Sequence, residues 1–127
     1  MRSLKRSCIP LVLTLPALLW SADGGLTSVD VYTAGQDGYH TYRIPAVIRT
    51  AKGTLLAFCE GRRNDARDWG DIDLLVKRSA DGGRTWSKAI KVADFGEDTV
   101  GNPAPVVDRR TGTIWLLLTR NPGDVQE

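Results

Sequence analysis

Short apolar runs broken by glycine and polar turns, with no useful helical spacing after residue 24, constrain this chain more than any other feature. "RIPAVIRT" (43–50), "TLLAFCEG" (54–61), "DIDLLVKRS" (71–79) and "SKAIKVADF" (87–95) each have the length and residue content of a strand. "AKG" turns the first run into the second, so 43–60 reads as a hairpin. Ile44, Ala46 and Ile48 would line one face of the first run, with Pro45 and Val47 on the other. Apolar residues on both faces predict a strand covered on both sides. "RRNDARDWG" is polar and ends on glycine, hence a loop. A looser segment, "GEDTVGNP", leads to a second hairpin, "APVVDRRTGTIWLLLT", turning at "RRTG".

Four short strands and then a restart, at roughly 40–50 residues per unit, is the spacing of propeller blades. The expected fold is therefore all-β: about one and a half blades of four-stranded antiparallel sheet. Such a piece cannot close a ring, and its last strand would present an unpaired edge and an apolar face. Residues 25–127 are accordingly expected to be the N-terminal part of a longer propeller.

Ahead of the strands, Arg2, Lys5 and Arg6 precede the apolar run "CIPLVLTLPALLW" (8–20). A basic start, a run of this length and small residues after it predict a secretory signal-peptide helix over 1–24, and a secreted or periplasmic product. Pro10 and Pro16 interrupt a run already short for a membrane span, so no span is expected once the leader is removed. The whole chain of 127 residues carries a formal charge of +2, which falls to zero without those 24 residues. Without a single-sign patch, nucleic-acid binding is not expected. Cys59 then remains as a single cysteine inside an apolar run, a small buried hydrophobe. The lone His40 has no ligand-type neighbour to make a metal site.

The octet "SADGGRTW" (79–86) is dense in turn chemistry. Asp81 can accept hydrogen bonds from the backbone of its own turn, and Gly82 and Gly83 permit positive φ. Trp86 is placed to start the next strand and bury its ring between sheets. Each residue has a folding role, so Asp81 reads as a turn brace rather than a catalytic acid.

Three features together resemble the exo-α-sialidase (neuraminidase) family of six-bladed propellers: "YRIPAV" (42–47), the octet as an Asp box, and "NPAPVVDRRTGTIWLLL" followed by "NPGDVQE". Arg43 is a guanidinium at the head of an apolar strand, and such a charge needs a partner or a wet mouth. The resemblance implies that it is the first of three arginines holding the carboxylate of sialic acid, which Arg suits by its forked, permanent charge. It also implies an acid/base aspartate in the loop before the third strand. Asp68 best occupies that place, with Asp65 and Asp71 as competitors and Asp73 inside the strand. Arg62 resembles a family arginine beside the carboxylate site, with Arg63 as its alternative; Glu127 matches a family glutamate that contacts substrate or the first arginine. Asn102 could face the pocket, though turn chemistry explains it equally.

The implied reaction is retaining hydrolysis of terminal sialic acids on glycoproteins, glycolipids or oligosaccharides, with a tyrosine nucleophile activated by a glutamate and no metal or cofactor. Tyr32, Tyr39 and Tyr42 are not placed as that nucleophile. A non-catalytic Asp-box propeller that binds carbohydrate or protein, and a related propeller glycosidase or trans-sialidase, share these motifs.

Overall fold

The computed structural model describes residues 25–126. Among them every regular element is a strand: β1 (Thr41–Arg49), β2 (Leu55–Arg62), β3 (Ile72–Ser79), β4 (Ile90–Ala93), β5 (Thr99–Val107) and β6 (Ile114–Asn121). β1 to β4 pair antiparallel in chain order. β5 and β6 form an antiparallel hairpin, joined to β3 by one parallel pairing between Ile72 and Thr99. The result is an open six-stranded sheet, a four-stranded unit followed by half of another, as the strand spacing predicts. The signal-peptide expectation for 1–24 and the site residue Glu127 lie outside the described residues.

Three of the turns have an identifiable cause. Between β1 and β2, Gly53 takes φ 87° and its N–H donates to Thr50 O at 2.9 Å. Between β5 and β6, Asp108 accepts from the N–H of Arg110 and the hydroxyl of Thr111. In the octet, Asp81 accepts from Ser79 Oγ (2.8 Å), Thr85 N (3.0 Å) and Thr85 Oγ1 (2.6 Å), while Gly82 and Gly83 sit at φ 77° and 93°. Asp81 is thus a brace for its own turn. Trp86 differs from expectation: β4 starts later, at Ile90, and Trp86 folds back so that its Nε1 donates to Gly83 O at 3.1 Å. Its ring is half-buried on its own turn.

The three hydrogen bonds from Thr85 and Ser79 hold the Asp81 carboxyl well below its ordinary range. A pKa depressed by folding stabilises above the unfolded value and loses that contribution as pH falls through the folded one. Asp81→Ala should therefore lower the urea midpoint most at neutral pH. The gap from wild type should narrow as pH is taken below about 4, the ordinary Asp value. A gap that stayed constant with pH would count against the brace.

Register divides β2 and β3 into two faces. Ala57, Cys59 and Gly61 stand opposite Lys77, Leu75 and Asp73, and this face is covered by the segment before β1. Tyr39 packs there at 6% exposure, and Tyr32 donates its hydroxyl to Ala57 O at 2.9 Å. Phe58, Glu60 and Arg62 stand opposite Val76, Leu74 and Ile72 on the other face, towards β5. β2 from Ala57 onward and β3 through Val76 are buried throughout. The two-sided cover expected of β1 is not found: it is an edge strand, with Val47 60% and Ile44 37% exposed. The segment 96–103, expected to be loose, is already strand from Thr99, because its Gly and Pro sit at a bulge rather than outside the ladder. β6 is the opposite edge and exposes Trp115 and Leu117, the apolar face expected of the last strand.

Candidate active site

The site follows from the register. Arg43 stands opposite Glu60 across the β1–β2 ladder, and residues two apart on one strand share a face, so Arg62 joins Glu60. Immediately after Arg43 the ladder slips, and Ile44 takes φ 52° ahead of Pro45. A β-branched residue in the left-handed region is strained by about 1–3 kcal/mol and persists only where its surroundings enforce it. β5 repeats the device: its ladder slips after Gly101, and Asn102 takes φ 53° ahead of Pro103. Bulges of this kind re-aim side chains at the rim of a sheet.

The loop between β2 and β3 brings Asp68 to this rim. Its Oδ1 lies 2.8 Å from Arg43 Nη1 and 2.7 Å from Arg62 Nη2. The two arginines differ in character. The Arg43 side chain is 45% exposed where it pairs with Asp68, itself 54% exposed. Arg62 is 3% exposed, and every one of its nitrogens is engaged by the protein. Nε and Nη2 donate to Glu60 Oε2 at 3.2 and 2.7 Å, and Nη1 donates to the carbonyls of Ala66 and Arg67 at 2.7 and 2.8 Å. Arg62, which the resemblance sets beside the carboxylate site, holds the 66–68 loop with its head group in this structure. Burial disfavours its charge, yet the hydrogen bonds it donates to Glu60 and Asp68, with their charges, outweigh that and raise its pKa. Hydrogen bonding to Arg62, with the charges of Arg62 and Arg43, holds the Asp68 carboxyl below its ordinary range.

The competing residues are paired elsewhere. Asp65 binds Arg67 at 2.6 Å, and Arg63 binds Asp71 and Asp73 at 3.1 and 2.7 Å while its guanidinium lies 5.0 Å from the centre of the Tyr39 ring. The tyrosine hydroxyls donate to fixed acceptors: Tyr32 to Ala57 O, Tyr39 to Asp73 Oδ2 and Tyr42 to Gln36 O. Desolvation raises the pKa of all three, which keeps them neutral donors. Cys59 is buried, and desolvation pushes its thiol up to about 12, so it is inert packing. His40 is exposed, its Nδ1 2.7 Å from Thr41 Oγ1.

Glu60 is the residue that sequence reasoning missed. It ends an apolar run and reads as the polar tip of a strand. The available signal was its spacing: a carboxylate two residues before Arg62 on one strand must share its face. The assembled cluster offers an accessible guanidinium for a carboxylate and, beside it, an aspartate able to exchange a proton with a bound molecule.

No family model matches the chain. The exo-alpha-sialidase of Arthroderma benhamiae is 46% identical over 92 residues, 68% of this chain and 22% of that protein. The exo-alpha-sialidase of Aspergillus fumigatus is 47% identical over 90 residues, 66% of this chain and 22% of that protein. Among solved structures, the Hadza microbial sialidase Hz136 superposes with a TM-score of 0.66 at 34% identity, over 74% of this chain and 20% of that one. The chain spans about a fifth of the length of these relatives. Over the region it shares with them, the chain belongs to the exo-α-sialidase family.

Proposed function

We propose that residues 25–127 are the N-terminal part of an exported exo-α-sialidase propeller that removes terminal sialic acids from glycoproteins, glycolipids and oligosaccharides with retention. The observation that carries this reading is the pairing of an exposed Arg43 with Asp68 at the sheet rim. In the proposed reaction, the sialic acid carboxylate takes the place of Asp68 on Arg43. Released from Arg43, Asp68 takes up a proton from solvent, gives it to the leaving oxygen and later takes one from the attacking water. A neutral tyrosine is the nucleophile, because an anionic one would be repelled by the substrate carboxylate. That tyrosine, its glutamate partner and two further arginines are supplied by other parts of the propeller. The 1–24 leader directs export, and Glu127 takes the role of the family glutamate it matches, contact with the substrate or with the first arginine.

The test compares two proteins on a fluorogenic sialoside. The 127-residue chain should show no turnover. A chimera in which this chain replaces the matching segment of the Aspergillus fumigatus enzyme should be active. A folded, inactive chimera would sink the reading, and so would turnover by the isolated chain.

A further inference from the structure

Glu60 is 4% exposed, and a carboxylate so buried is tolerated only when both oxygens are satisfied. Its oxygens divide between two parts of the fold. Oε2 takes Nε and Nη2 of Arg62, and Oε1 takes the N–H of Asn102 on β5 at 3.0 Å. Gly101 leaves the necessary room, since a Cβ there would lie 2.2 Å from Oε1. Beyond this seat, the remaining reach of Arg62 goes to the carbonyls of Ala66 and Arg67 and to Asp68. A buried ion pair is often replaceable by apolar residues without loss of stability, so its use here points to geometry.

We propose that Glu60 is a positioning residue: it seats Arg62 so that the outer nitrogens of Arg62 hold the turn at 66–68 and present Asp68 to Arg43, and it ties that seat to β5 through the Asn102 N–H. That Asp68 is a catalytic acid worth positioning rests on the proposed function; the seat itself does not.

The experiment uses nuclear magnetic resonance on the 127-residue chain, following the Asp68 carboxyl carbon through an acid titration and hydrogen exchange at Arg62 Nε–H. Glu60→Gln should speed that exchange at least tenfold and move the Asp68 titration upward. The direction is decisive. Removing a negative charge that competes for Arg62 would, by charge alone, move the titration downward; only loss of position moves it up. Gly101→Ala keeps the charge and displaces Oε1, and should give the same two changes. It leaves the strand backbone unobstructed, because the close atoms, Oε1 at 2.2 Å and Cδ at 3.0 Å, belong to the Glu60 side chain. Retained protection of the Leu74 and Leu75 amides reports an intact fold. An Asp68 titration that stays put or falls in the folded variants, with Arg62 Nε–H still protected, would overturn the proposal. Neither readout involves a sugar, so an inactive chimera would remove the catalytic role of Asp68 and leave this result standing.

Discussion

Asp68→Asn, placed in the chimeric enzyme, is expected to lower kcat by about 10²–10⁴-fold, the usual contribution of a positioned acid or base. KM should stay the same or fall. The asparagine keeps the shape of the side chain but cannot carry the proton, so the chemical step suffers. It also gives up the charge that competes for Arg43, whose guanidinium lies 2.8 Å from the native carboxylate, so the substrate carboxylate meets less competition there. The pH profile adds a second check. Arg62 and Arg43 hold the free Asp68 below its ordinary range, so its protonated fraction declines as pH rises across the neutral region. In the native chimera kcat/KM should therefore fall with rising pH, and Asp68→Asn should flatten that limb. A variant that raised KM and spared kcat would assign Asp68 to binding alone.

The parts legible in the sequence are those that local chemistry decides. Asp81, Gly82 and Gly83 need nothing beyond their own turn, and the structure shows Asp81 bonded within it. Arg43 and Asp68 are named through the family resemblance: position alone leaves Arg43 equally a structural ion-pair partner and does not single out Asp68 from Asp65 and Asp71 in the same loop. The rest depends on which strand lies opposite which. Arg62 and Arg63 are adjacent in sequence, yet alternation sends Arg62 to Glu60 and Asp68, and Arg63 to Asp71 and Asp73. No composition or spacing rule separates them without the register. Glu60 is hidden for the same reason. Its burial makes sense only once Arg62 on one side and the Asn102 N–H on the other are in place, and the second of these comes from 42 residues away. β1 reads as covered on both faces because Ile44 on one and Val47 on the other are apolar, but cover is a property of neighbours, and β1 is an edge.

Leu74→Ala is expected to destabilise the chain by about 2–5 kcal/mol. Leu74 has no exposed surface and stands opposite Glu60 on β2 and Ala93 on β4, on the face that looks towards β5. Ile72 and Val76 flank it on that face at 2% and 9% exposure, and Val100 of β5 is fully buried as well. The sheet backbone holds its neighbours in register, so the space left by three lost carbons cannot collapse and the cavity adds to the lost transfer energy. Trp115 makes the control. It is larger, but 62% exposed on edge strand β6, so Trp115→Ala should change stability by no more than about 0.5 kcal/mol. Urea midpoints at unchanged slope measure both. The contrast separates the layer beneath Glu60, where β2, β3 and β5 share a core, from the outer edge, where size without burial contributes little. A loss below about 1 kcal/mol at Leu74 would mean that β5 is not packed over this face, and the seat of Arg62 would then lack the floor on which Glu60 stands.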